Sequence, residues 1–209
     1  MFITLEGIDG CGKSTQAALL KDKLQKEKHA SVVWTREPGG WSHGDLVRTL
    51  LLDKDLHHEL SELLLFVFDR CEHVSQVVAP ALEKKQIVLC ERYTDSTRAY
   101  QIWGRGLEER KVEDLFSWCH FPDPDLTLWI DTPLSLAMDR IKRSRGHLDR
   151  IESETQKFLS NVCSGYKELS ARYPERIIRI DGAQPIEDVS LQIWKAVEVY
   201  FLGESKKEF

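Results

Sequence analysis

The chain has 209 residues, 42% hydrophobic and 30% charged, with a formal net charge of −5. That length fills one α/β core and leaves little for another, so residues 1–209 are expected to form one domain. The acidic balance argues against broad electrostatic recruitment of nucleic acid or anionic membrane, so any phosphate must be held by a local arrangement.

Phe2–Glu6 is short, apolar and β-rich, a predicted strand, and with no basic opening and an acid at position six it does not read as a secretory leader. It runs into Gly7-Ile8-Asp9-Gly10-Cys11-Gly12-Lys13-Ser14, then a helix beginning Thr15-Gln16-Ala17 in a helical stretch predicted over roughly 13–28. The pattern G-x-x-x-x-G-K-S between strand and helix is a phosphate loop. Its glycines let backbone N–H groups face phosphate oxygens, and the helix N-terminus adds positive potential. Lys13 is expected on the β- and γ-phosphates of a nucleoside triphosphate, and the Ser14 hydroxyl on Mg2+.

A second strand, Ser31–Thr35, ends in Thr35-Arg36-Glu37-Pro38-Gly39-Gly40, a turn in which the Glu37–Pro38 bond is a candidate for cis. Helices are predicted over 43–52 and 58–84. The second holds the longest apolar run, Leu63–Phe68, far below the ~20 residues that span a bilayer. Phe66 and Arg70 stand four apart on that helix, an aromatic platform beside a guanidinium that suits a nucleobase. A core phenylalanine with a snorkelling arginine would leave the same trace. The apolar run also covers more of the helix than one core-facing stripe needs, which points to a second packed face.

The third strand, Ile87–Glu91, places Glu91 where an acid approaches Mg2+ through water. After it, Arg92 is suited to bridging donor and acceptor phosphates, and Ser96, Thr97 and Gln101 offer groups that read a base or sugar. A helix over 108–119, a strand Leu126–Asp131 and a helix 133–144, opened by Thr132-Pro133, follow. Residues 140–150, Arg140-Ile141-Lys142-Arg143-Ser144-Arg145-Gly146-His147-Leu148-Asp149-Arg150, are basic in an acidic protein and read as a lid at about 140–152 that brings arginine to the transferring phosphates. A helix 153–172, a strand Ile177–Ile180 and a helix 186–202 complete the order. Alternating strands and helices predict an open α/β fold of the P-loop NTPase type, a parallel sheet of about five strands with helices on both faces and ligands at the strands' carboxyl ends. The five cysteines are scattered without a metal or redox spacing, and reduced thiols in the cytoplasm are expected.

No N-K-x-D or L-S-G-G-Q string occurs and no D-x-x-G follows the second strand, which argues against a GTPase or a transporter ATPase and favours a small phosphotransferase with its acceptor site in the same chain. The blocks Glu6–Gln16, Thr35–Gly40, Leu50–Leu52, Leu64-Leu65-Phe66 with Asp69-Arg70, Arg92-Tyr93, Asp95–Thr97, Ala99–Gln101, Gly104–Gly106, Pro124–Thr127 and Asp149-Arg150 stand in this order. In them the chain resembles bacterial thymidylate kinases from end to end.

The resemblance implies ATP + dTMP → ADP + dTDP on Mg2+, in a two-fold dimer. It implies that Gly7, Ile8, Asp9, Gly10, Cys11, Gly12, Lys13, Ser14, Thr15, Arg143 and Arg150 bind ATP. Glu37, Arg48, Phe66, Arg70, Arg92, Ser96, Thr97, Tyr100 and Gln101 would bind dTMP, with Phe66 stacked on thymine, Arg48 and Arg92 on the phosphate and Tyr100 against the sugar. Lys13, Arg92, Asp9 and a lid arginine, Arg145 first, would be catalytic, with Ser14 and Glu91 at the metal. Gly10 stands where some members carry arginine inside the phosphate loop, so the lid-arginine kind is implied. Glu91 in place of Asp, Trp41 in place of Thr, Ile102-Trp103, and Ile151 in place of Phe depart from the family pattern. A relative acting on another nucleotide or nucleoside, or a nucleotide-sensing module without turnover, are the alternative readings.

Overall fold

The computed structural model describes residues 1–144 and 149–204. Five strands pair in parallel in the order β2-β3-β1-β4-β5: β1 (Phe2–Glu6), β2 (Val32–Arg36), β3 (Ile87–Glu91), β4 (Leu126–Asp131) and β5 (Ile177–Asp181). β1, β3 and nearly all of β4 are fully buried, which is why they read as unbroken apolar runs rather than alternating ones. β2 forms one edge, and its Trp34 is 40% exposed.

The helices are α1 (Lys13–Lys28), α2 (Gly44–Asp53), α3 (Glu59–His73), α4 (Ala79–Glu83), α5 (Thr94–Thr97), α6 (Glu109–Cys119), α7 (Leu134–Ser144), α8 (Gln156–Arg172) and α9 (Ile186–Glu204). The stretch predicted as one helix over 58–84 is broken by a π-helical turn, Val74–Val78. Pro80 is the second residue of the next helical segment, an opening position that tolerates proline. A helix expected from 153 starts at Gln156, where Thr155 Oγ1 caps it by accepting from Phe158 N at 3.2 Å.

Periodicity predicts no helix over 92–107, yet Thr94–Thr97 is helical and Arg98–Gly104 is a π-helix. α8 packs closely on this segment: Gly165 lies where a Cβ would come within 3.0 Å of Trp103. The main core gathers Leu5, Leu128, Ile130, Phe158, Val162 and Val197 between the sheet and helices α1, α8 and α9. Its closed packing holds the carboxyl ends of β1, β2 and β3 in register, Leu5 and Arg36 both standing beside Glu91. No helix among the described residues is long and apolar enough to cross a membrane.

Candidate active site

The loop after β1 wraps because three of its residues take positive φ: Gly7 (139°), Gly10 (77°) and Gly12 (102°). A Cβ on Gly10 would stand 2.2 Å from the carbonyl oxygen of Ala137, so α7 closes off any side chain there. Lys13 is buried, and its Nζ donates to the carbonyls of Gly7 (3.0 Å) and Ile8 (2.9 Å), with Asp9 Oδ1 at 3.8 Å. Ser14 Oγ donates to Glu91 Oε2 at 2.5 Å, and Trp34 Nε1 donates to Glu91 Oε1 at 3.0 Å. The extra methylene of Glu91 thus meets both a loop hydroxyl and an edge-strand indole. Cys11 is buried, and Thr15 is exposed on the rim.

Two adjoining hollows open here. One, about 990 Å³, is lined by Asp9, Gly10, Gly12, Lys13, Ser14 and Thr15, with Arg36, Glu91, Arg140 and the end of α7 opposite. The other, about 590 Å³, is lined by all nine residues expected on the acceptor side: Glu37, Arg48, Phe66, Arg70, Arg92, Ser96, Thr97, Tyr100 and Gln101. Pro38, Leu52, Asp149 and Ile151 complete its wall. Asp9, Glu37, Arg48 and Arg92 line both hollows and form the passage between them.

Arg92 takes φ 66° and turns into that passage, where Nη1 donates to the Gly7 carbonyl (3.0 Å) and Nη2 meets Asp9 Oδ1 at 2.8 Å. Burial works against its charge, but Asp9 more than compensates and holds its pKa well above the ordinary arginine value. Arg48 is pushed the other way, by burial and then by the neighbouring charge of Arg36, with Arg92 adding to the strain and Asp9 opposing it. Arg48 and Arg92 in the passage, with Arg36 beside them in the larger hollow, make an anion site in which Asp9 and Glu37 offset part of the positive charge.

Deeper in, α3 presents Phe66 and Arg70 together. Arg70 is 1% exposed, so it does not snorkel. Its Nε donates to Glu37 Oε2 (2.7 Å), and its Nη2 to the Tyr93 carbonyl (2.9 Å) and Thr97 Oγ1 (3.0 Å). Its Nη1 is buried without a hydrogen-bond partner among the described residues. Glu37, after the cis Glu37–Pro38 peptide, is held on its other oxygen by His73 Nδ1 at 2.8 Å, and His73 Nε2 reaches Thr35 Oγ1 at 2.7 Å. Gln101 on the π-helix is also buried, and its Oε1 likewise has no partner. A donor and an acceptor left unsatisfied in one pocket wall are costly unless a ligand completes them.

Ser96 Oγ donates to Glu6 Oε2 (2.5 Å) beside Tyr166 Oη, and the Tyr93 N–H donates to Glu6 Oε1 (2.7 Å). Burial, then the charge of Asp95, push the Glu6 carboxyl up to about 7. Trp41 Nε1 donates to Asp69 Oδ1 at 2.8 Å, and the same carboxylate accepts from Gly39 N, so this departure from the family pattern pins the acceptor turn to α3.

Of the expected ATP contacts, Gly7, Ile8 and Cys11 belong to the loop but line neither hollow, and two others stand away from it. Arg143 is exposed on the last turn of α7 and lines neither hollow. Arg150 lines neither hollow and is committed to the Leu51 carbonyl (3.0 and 2.9 Å) and to Glu62 Oε2 (2.6 Å). Arg145 lies outside the described residues. Site residues not singled out by sequence reasoning are Arg36, Trp34 and Glu62. Arg36 had a signal, its place at the carboxyl end of β2; the others are joined to the site only by long-range contacts.

The family model described as thymidylate kinase matches residues 5–193. Curated thymidylate kinases of Synechococcus sp. strain JA-2-3B'a(2-13) and Gloeobacter violaceus are similar along their length. The first is 45% identical over 199 residues, covering 95% of this chain and 94% of its own. The second is 44% identical over 211 residues, covering 100% and 99%. The crystal structure of thymidylate kinase from Ehrlichia chaffeensis superposes with a TM-score of 0.78 at 35% identity, over 95% of this chain and 98% of its own.

Proposed function

The chain belongs to the thymidylate kinase family and so phosphorylates dTMP to dTDP with ATP; on that premise we propose that the smaller pocket holds dTMP and the larger cleft the ATP phosphates. The observation that carries the assignment is the pair of unsatisfied buried atoms, Arg70 Nη1 and Gln101 Oε1, in the smaller pocket's wall. A thymine ring offers a carbonyl to the first and a ring N–H to the second. Phe66 supplies the stacking face, and Tyr100, whose ring lies 5.2 Å from the Arg92 guanidinium carbon, borders the sugar. Arg48 and Arg92 take the acceptor phosphate, with Arg36 beside them.

Phosphoryl transfer asks the protein chiefly for alignment and positive charge, because the acceptor phosphate is already anionic and no general base is required. Lys13 leaves the loop carbonyls for the β- and γ-phosphates when nucleotide enters. Asp9 steers Arg92 across the passage. Ser14 and Glu91, a hydroxyl and a carboxylate 2.5 Å apart, form a hard oxygen donor set that fits Mg2+. An ion held by these two residues would supply positive charge against that developing on the transferred phosphoryl group.

We read residues 1–209 as one domain whose segment 140–152 is a lid, and place the chain in the lid-arginine kind. The absence of space for a side chain at Gly10 supports this, since it leaves the lid to supply the cation. Arg145→Ala is expected to lower kcat far more than it raises the dTMP KM; an unchanged kcat removes Arg145 from the mechanism. A two-fold dimer is proposed through the α3 face carrying Leu60, Leu64 and Phe68, each close to half exposed. A cytoplasmic setting fits the five free cysteines. Coupled ADP release across dTMP, dUMP, dCMP, dGMP and thymidine tests the whole assignment. Turnover should be fastest with dTMP, and release with none would leave only a nucleotide-sensing module.

A further inference from the structure

Glu62 lies on α3 one turn before Phe66, outside the pocket wall and 2% exposed. Both its oxygens are saturated. Oε1 accepts from Gln101 Nε2 (2.9 Å) and Arg105 Nε (3.1 Å); Oε2 accepts from Arg105 Nη2 (3.0 Å) and Arg150 Nη2 (2.6 Å). Burial alone would raise its pKa, but the hydrogen bonds and charges of Arg105 and Arg150 outweigh burial and hold it below the usual carboxylate range. At neutral pH it is therefore ionised, and an ionised carboxylate can only accept. Gln101 has no choice of orientation: its amide nitrogen must face Glu62, which leaves Oε1 as the group without a partner.

We propose that Glu62 sets the hydrogen-bond polarity of the base pocket, holding Gln101 with its carbonyl toward the base and so selecting a pyrimidine whose ring nitrogen carries hydrogen. Thymine and uracil have that N–H. Cytosine presents a lone pair at the same ring position, and two acceptors would then face each other without a proton between them. The inference rests on the base site proposed above. It adds that the selection is made by a carboxylate the base never touches, itself fixed by two arginines. Arg105 follows the π-helix and also pairs with Glu154; Arg150 stands at the far end of the basic segment and holds Leu51 on α2. One carboxylate therefore ties the base reader to α2, α3 and the C-terminal end of the lid segment.

Glu62→Gln is the direct test, because the new side chain has the same size but can donate as well as accept, which frees Gln101 to turn. Dissociation constants for dTMP, dUMP and dCMP on the full-length protein are measured by calorimetry. The preference for dTMP over dCMP should fall at least about tenfold, while the ratio of dTMP to dUMP stays as in the unmodified protein. Equal weakening for all three nucleotides would mean that Glu62 only supports packing, and would overturn the proposal. Glu62→Asp retains a group that can only accept, so its preference for dTMP over dCMP should persist even where affinity drops; loss of that preference contradicts the proposal, and this variant carries the test where Glu62→Gln does not fold. Gln101→Ala separates the two levels. If it leaves the dTMP-to-dCMP ratio unchanged, the base is not read at Gln101 and the underlying site assignment fails. If it collapses the ratio while Glu62→Gln does not, only the role of Glu62 is lost.

Discussion

At the scale of single residues, the site is a set of charges kept apart from solvent and matched to one another. Arg70 and Glu37 form a buried pair whose remaining valences are used by Tyr93, Thr97 and His73, and only Nη1 waits for a partner. Phe66, by contrast, gives area rather than charge. Phe66→Ala should raise the dTMP KM roughly 5- to 150-fold, the loss of ~1–3 kcal/mol of stacking, with the ATP KM unchanged in initial-rate measurements. Glu6 lends itself to a stability test. Its folded pKa, raised from 4.5 to about 7, means that the folded state binds its proton more tightly than the unfolded chain. The associated stability is greatest below the unfolded value and is lost as pH rises from 4.5 to about 7, on the order of 3 kcal/mol in all. Glu6→Gln should flatten that fall in urea-melt free energies; an unchanged slope would assign the proton elsewhere. Phe66 with Arg70 was legible in the sequence because a spacing of four fixes a shared helical face. Glu62 was not: its partners Gln101 and Arg150 lie 39 and 88 positions away, and nothing local separates it from any other helical acid.

At the scale of elements, α3 organises the acceptor side. Glu62, Phe66, Asp69, Arg70 and His73 share the inward face, while Leu60, Leu64 and Phe68 follow an outward stripe. The apolar run that hides this division in sequence is therefore two faces overlaid. β1, β3 and β4 were readable because burial on both sides makes them short and uniformly apolar. The segment Thr94–Gly104 was not, since Ser96, Thr97 and Gln101 line the pocket and, with buried Thr94 and Asp95, obscure any amphipathic period, and a π-helix shifts the period as well. Conformation matters most at the phosphate loop, where Gly10 passes against α7. Gly10→Ala should weaken ATP binding, because φ 77° and the Ala137 carbonyl both oppose a Cβ, with a strain of ~1–3 kcal/mol at the loop. Nucleotide titration should show the ATP affinity reduced about 5- to 150-fold; full affinity would show that the loop shifts away without cost.

For the molecule as a whole, the alternation of strands and helices foretold a parallel sheet, but not its order, since order depends on which crossovers pack best and no local residue records that. The order β2-β3-β1-β4-β5 brings the ends of β1, β2 and β3 together, and with them the phosphate loop, the Glu37 turn and Glu91-Arg92. The outward stripe on α3 makes a further prediction at this scale. Leu64→Glu with Phe68→Glu should convert the proposed dimer to a monomer in analytical ultracentrifugation, and a dimer that survives both charges would place the interface elsewhere. The relation between pocket and cradle remains the central claim, and a crystal structure with dTMP and a non-hydrolysable ATP analogue tests it most directly. Thymine should lie on Phe66 within hydrogen-bond reach of Arg70 Nη1 and Gln101 Oε1, its phosphate between Arg48 and Arg92 and directed at the γ-phosphate over Lys13. Thymidylate bound away from these five acceptor-side residues, or with its phosphate turned from the loop, would contradict it.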